Sequence, residues 1–269
     1  MSSALELAIW LCAAFAALSW LLSVVTREYS WVDRLWSITP VVYVGWFAWS
    51  GSGDTARGRL MFFAALAWGL RLTFNFARKG GYARGGEDYR WAELRRRMSP
   101  TSFAVFNLVF IACYQHALLL LISLPAWVAA RSTRPLGVLD AVAALLFAAF
   151  LVGETVADEQ QWAFHQDKRR RQAEGGPVHP RFLSTGLFAW SRHPNYFCEQ
   201  AMWWTMYLFG VAASGSWLNV GLVGPVLLTL LFIGSTSFTE SITRAKYPEY
   251  AEYQRRTSRL WPRPPRPHR

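Results

Sequence analysis

Cysteine is scarce in this chain and poorly placed for chemistry. Cys12, Cys113 and Cys198 lie far apart, each inside an apolar run. That pattern excludes a disulfide framework and a cysteine metal site, and the three read as small buried hydrophobes. Nucleotide motifs are missing too: there is no G-x-G-x-x-G and no Walker A sequence, so a soluble-type nucleotide fold is not indicated. No Ser–His–acid set and no metal-ligand cluster stands out, which speaks against a hydrolase and leaves no metal site to expect. Acidic residues are few, 17 against 28 basic ones. There is no tandem repeat, and no linker long enough to separate two domains.

What is abundant is apolar and aromatic. The 269 residues are 53% hydrophobic, with 15 Trp and 18 Phe. Long apolar runs alternate with short polar loops, the pattern of a polytopic membrane protein. Residues 4–25 form a first span. A signal peptide would need a basic start and a small-x-small cleavage site, and both are absent. Further spans fall at about 35–50, 60–77, 103–124, 136–157, 194–214 and 217–238. The fifth helix continues to about Asp167. Gly51-Ser52-Gly53-Asp54 is a turn, Pro125 to Pro135 is a loop, and Pro262 to Arg269 is a frayed tail. The fold expected is an all-α integral membrane protein of about seven spans, a single domain over 1–269.

The net charge of +11 raises nucleic-acid binding, but the basic residues cluster in loops between spans, where membrane orientation explains them. The loops after spans one, three and five, and the tail, are the basic ones, and the loop between spans six and seven has no Lys or Arg. An odd number of spans then puts the N-terminus outside and the C-terminus in the cytoplasm. Arg57, Arg59, Arg131 and Arg134 fall on the other side. The loop from Arg78 to Met98 is markedly basic; topological charge and phosphate contact both suit it.

The chemistry concentrates in one stretch, Arg181 to Tyr207. Ser191-Arg192-His193-Pro194-Asn195-Tyr196 is a cationic, donor-rich cluster with Pro at the first turn of a helix. Helix N-termini attract phosphate or carboxylate. Asn195, Glu199 and Trp203 recur every four residues on one face. Upstream, Glu154, Asp158, Gln161 and His165 follow i, i+4, i+7, i+11, a polar stripe suited to a pocket wall. Arg71, with Asn75 four residues on, is a costly charge within the third span, which either faces a polar interior or snorkels. His116 reads as a packed, hydrogen-bonded histidine.

The block Gly186-Leu187-Phe188 … Ser191-Arg192-His193-Pro194-Asn195-Tyr196-Phe197-x-Glu199 … Trp203-Trp204 resembles the C-terminal signature of the steroid 5-alpha-reductase superfamily, and within it the bacterial DUF1295 branch. The resemblance implies a seven-helix membrane fold that binds NADPH in its C-terminal half, here about 136–262. It implies reduction of a carbon–carbon double bond conjugated to a carbonyl, in a lipophilic substrate. It places Glu154, Asp158, Arg181, Asn195 and Glu199 at cofactor positions, with Arg192, His193, Tyr196 and Glu240 as further contacts. On the substrate side it puts Trp68 where relatives carry a catalytic Tyr, three residues before Arg71, with Asp33 as the nearest acid of the second span. Tyr43, Tyr89 and Tyr114 stay open as acids. By analogy the home is a bacterial inner membrane, and the partners are a lipophilic small molecule and membrane lipid, not nucleic acid. Two other readings stand. Arg-His-Pro-x-Tyr with a later Tyr250 and Tyr253 is similar to S-adenosylmethionine-dependent isoprenylcysteine methyltransferases, and Trp68 keeps a non-catalytic lipid-binding relative in play.

Overall fold

The computed structural model describes residues 3–51, 55–176 and 179–265. Of the expected turns, Ser52 to Asp54 and the end of the tail past Pro265 lie outside the described residues. The chain is 77% helix, with no strand among the described residues. In order the helices are α1 (Ser3–Thr26), α2 (Trp31–Trp36), α3 (Thr39–Ser50), α4 (Thr55–Arg78), α5 (Tyr89–Arg97), α6 (Pro100–Phe106), a π-helical segment (Asn107–Tyr114), α7 (Gln115–Ala129), α8 (Val138–Ala173), α9 (Pro194–Ser214), α10 (Val223–Lys246) and α11 (Tyr250–Arg256). Five stretches are long and apolar enough to cross a membrane: Ser3–Thr26, Ala56–Arg78, Pro100–Ala129, Val138–Ala173 and Val220–Lys246. Within these stretches Trp10, Leu70, Leu145 and Leu230 are exposed, as lipid-facing side chains are.

Four expected boundaries differ; the seventh span, expected over 217–238, runs on to Lys246 as α10. The second span is broken into α2 and α3, because Pro40 at the start of α3 has no N–H to give to the carbonyl one turn back. With 12 residues, α3 is about 18 Å long. The fourth span runs on to Ala129, with Pro125 inside α7 rather than in a loop. The fifth helix reaches Ala173, one and a half turns past Asp167.

Two compact units emerge, one from the residues up to Leu145 with Trp203–Leu228, the other from Leu146–Met202 with the residues from Thr229 on. In the first, α3 packs on α4 and α7, and α1 packs on α7 and the π segment. Its core includes Tyr43, Phe47, Met61, Trp68, Leu118 and Ile122. Pro125 deprives the Leu121 carbonyl of its usual helical donor. Gly224 packs at that point so closely that a Cβ would lie 2.3 Å from the Leu121 oxygen. Polar pairs join the helices elsewhere. Ser19 Oγ lies 2.8 Å from His116 Nε2, and Asn107 Nδ2 donates to Ser23 Oγ at 2.8 Å. Arg57 is fully buried: it grips Asp140 through Nε (2.7 Å) and Nη2 (2.9 Å) and donates to the Arg134 and Pro135 carbonyls.

The second unit combines the later part of α8, the first turns of α9, the later part of α10, and α11. Its tail continues as irregular chain. Pro262 to Pro265, expected to fray, begins tied down: the Arg263 N–H donates to the Trp190 carbonyl at 2.9 Å.

Candidate functional site

All nine residues assigned to a cofactor fall in the second unit, while Asp33, Trp68 and Arg71 fall in the first. On α8, Glu154 and Asp158 are both buried, one turn apart. Asn195, in the first turn of α9, donates through Nδ2 to Asp158 Oδ1 at 3.4 Å. Glu199 follows one turn later and is buried. The expected stripe holds for its first two members, but His165 is exposed.

The residue that sequence reasoning missed on α8 is Gln160. Its Oε1 accepts the Leu187 N–H at 2.9 Å and fastens the turn Gly186–Ala189 to the helix. Gly186 is needed there twice over. Its φ is +62°, in the left-handed region, and a Cβ would lie 2.6 Å from Gln160 Oε1. The other end of the turn is held by Tyr253, whose hydroxyl donates to the Phe188 carbonyl. Burial pushes that phenol well above its usual range. Beside the turn lies a cleft of about 450 Å³ lined by Gln160, Phe164 and Asp167 of α8 and by Leu183, Thr185 and Gly186. Its signal was a second stripe on α8, at 160, 164 and 167, shadowed by the more acidic one.

The Arg-His-Pro cluster holds a carboxylate supplied by the chain itself. Arg192 pairs with Glu240 in a two-pronged contact, Nε to Oε1 at 2.7 Å and Nη2 to Oε2 at 2.9 Å. Its Nη1 donates to the carbonyls of Gln254 and Thr257. His193 Nε2 is 3.0 Å from Glu240 Oε1, and Gln254 Nε2 donates to Oε2 at 2.9 Å. The backbone N–H groups of Arg192 and His193 donate to the carbonyls of Ser258 and Arg259 at 2.8 and 3.2 Å. Ser191 Oγ donates to the Leu260 carbonyl at 2.8 Å. The partner of the cluster is thus Glu240 and the C-terminal segment. A carboxylate so surrounded by donors stays ionised cheaply, and a guanidinium with four N–H groups engaged is a fixed strut.

Other cations remain accessible. Arg181 is about half exposed and lies 3.6 Å from Glu249. Its carbonyl accepts from Lys168 Nζ at 2.7 Å, and that ammonium also donates to the Tyr247 hydroxyl at 3.1 Å. Arg259 is 42% exposed and 3.8 Å from Glu240. Tyr196 stacks between His193 and Phe232 at centroid distances of 5.6 and 5.0 Å.

In the first unit, Asp33 sits on α2 and accepts from Trp91 Nε1 at 2.8 Å. Trp68 is wholly buried and meets the edge of Trp203 at 4.9 Å between ring centroids. Arg71 is half-buried on α4.

A family model described as a protein of unknown function, DUF1295, matches residues 19–257. The chain belongs to the DUF1295 family. DUF1295 is part of the steroid 5-alpha-reductase-like superfamily. Every site residue expected from the sequence lies within the DUF1295 match, whereas Arg259 and the rest of Ser258 to Arg263, whose backbone braces the Arg192 cluster, lie just beyond it. The chain is also similar to an uncharacterized protein of Schizosaccharomyces pombe, 40% identical over 260 residues, covering 91% of this chain and 75% of that one. No solved structure matches.

Proposed function

We propose that this protein is a membrane-embedded, NADPH-dependent reductase of a conjugated carbon–carbon double bond in a lipophilic, steroid-like or enoyl substrate. The observation that carries the reading is the Asn195–Asp158 hydrogen bond. It joins two residues that the superfamily resemblance independently assigns to the cofactor, on helices far apart in sequence. The donor set fits such a cofactor with one change of role. Glu154, Asp158 and Glu199 are carboxylates able to accept from ribose hydroxyls or the carboxamide. Arg181 and Arg259 keep exposed guanidinium surface for phosphate. Arg192, braced by Glu240, positions the start of α9. When bound, the dinucleotide supplies a hydride. The chain's own work is to orient it, exclude water and donate a proton near the substrate oxygen.

The same reading takes the helices as seven crossings, with the broken α2–α3 segment and α9 added to the five long apolar ones, the N-terminus outside and the C-terminus in the cytoplasm. Neutralisation of Arg57 by Asp140 removes one of the four charges that stood against this orientation.

The test is thermal stability of detergent-purified protein with NADPH, NADH and S-adenosylmethionine side by side. A ligand at 100 times its Kd stabilises by about 2.7 kcal/mol. A shift with NADPH alone supports the reductase. A shift with S-adenosylmethionine alone transfers the assignment to methyl transfer. Against that outcome, Tyr253 has a packing duty at Phe188 and Tyr250 packs edge-on against Phe182 at 5.0 Å. Silence from all three favours a non-catalytic lipid-binding protein, for which the buried Trp68 is the supporting observation.

A further inference from the structure

The loop from Arg78 to Met98 holds none of the nine cofactor residues, yet it carries seven basic residues against three acidic ones up to Arg97. Within the first unit it is ordered by specific contacts. Glu87 Oε1 accepts the Tyr29 N–H at 2.6 Å, Glu28 Oε1 accepts the Gly85 N–H at 2.9 Å, and Ser30 Oγ accepts the Asp88 N–H at 3.0 Å. Arg34 donates to Glu28 and to the Gly81 carbonyl. The loop ends in α5, whose Asp88 caps its start through the Arg90 N–H.

Helix α5 is amphipathic. Trp91 is buried in a cluster with Val32, Phe103 and Ile111, and Leu94 and Met98 pack against the same cluster. The opposite side carries Arg95, Arg96 and Arg97, with side chains 41%, 73% and 45% exposed. Glu93 serves both Arg96 and Arg97 at 2.7 and 2.6 Å and Glu87 lies 3.3 Å from Arg95, so three guanidinium groups meet two carboxylates and the face stays net positive. Lys79 and Arg84 are exposed on the same loop, as are the aromatic rings of Tyr82 and Tyr89. Nine residues cannot cross a bilayer. Lying between the long apolar helices α4 and Pro100–Ala129, α5 must stay at the membrane–water boundary. Exposed arginines beside exposed tyrosines at that level match phospholipid phosphates.

We propose that the Arg78–Arg97 loop and α5 form a binding surface for anionic phospholipid headgroups of one leaflet. The loop is prefolded, so binding orders little chain, and the recognition is charge-assisted hydrogen bonding from guanidinium groups to phosphate oxygens. The inference does not depend on the reductase reading.

The test places full-length protein in nanodiscs of phosphatidylcholine, alone or with phosphatidylglycerol. Phosphatidylglycerol should raise the unfolding midpoint by roughly 2–4 °C, and high salt should remove the gain. The triple variant Arg84→Gln, Arg96→Gln, Arg97→Gln should lose it, while Arg170→Gln with Arg171→Gln, at the far end of α8, should keep it. Native mass spectrometry gives a second readout that survives a poorly folding triple variant. Phosphatidylglycerol should be enriched over phosphatidylcholine on the wild type by roughly five-fold for each arginine engaged, and Glu93→Gln should raise that enrichment. No enrichment on the wild type, or a gain intact in the triple variant, overturns the proposal. An equal midpoint rise from soluble pyrophosphate in phosphatidylcholine discs overturns the lipid assignment in favour of a free phosphate ligand.

Discussion

Arg192 shows how a residue type can suggest one role and the geometry another. A basic residue before a helix start invites a phosphate, but this guanidinium is 8% exposed and its carboxylate partner 3%. Arg192→Ala should therefore destabilise the protein by about 3–5 kcal/mol, by stranding the Glu240 charge, whether or not a cofactor is present. Denaturation in detergent without ligand checks this, and a loss seen only with NADPH would return Arg192 to the phosphate role.

Among the elements, the long helices could be read from hydropathy alone, because α1, α4, α8 and α10 are runs in which nearly every side chain meets lipid or core. What escaped was set by partners distant in sequence. Pro125 looked like a loop residue and sits inside α7. The counter-charge of Arg192 is Glu240, 48 residues away, a pairing that no local spacing shows. Gln160 could not be told from Gln161 until the Gly186 turn was seen docking on it. Arg57 was counted as a loop charge, although Asp140 is 83 residues away from it and 2.7 Å distant in space. That pair pins the start of α4 to the start of α8. Arg57→Ala and Asp140→Ala should each cost about 3–5 kcal/mol, and replacing both with apolar residues of similar volume should restore most of the loss. Double-mutant thermal denaturation measures it, and simple additivity would show that the two do not act as a pair.

For the whole molecule, the proposed topology can be read out directly. In a cysteine-free background, Ser216→Cys should react with an impermeant maleimide added outside intact cells, and Arg96→Cys only after the membrane is opened; the reverse pattern would invert the orientation. A different kind of consequence follows from the way the second unit closes on its own C-terminal segment. Arg192 finds its last acceptor at the Thr257 carbonyl, 65 residues later. At about 5–20 residues per second, a ribosome needs roughly 3–13 s to reach it. Through that interval a charged side chain beside a membrane helix has only part of its coordination. The unit therefore cannot finish folding until Thr257 has been made and has left the ribosome. Nascent chains stalled before Thr257 should be cut by protease near Arg192, chains released at full length should not, and biogenesis factors that shield polar groups at the bilayer would have their work during those seconds.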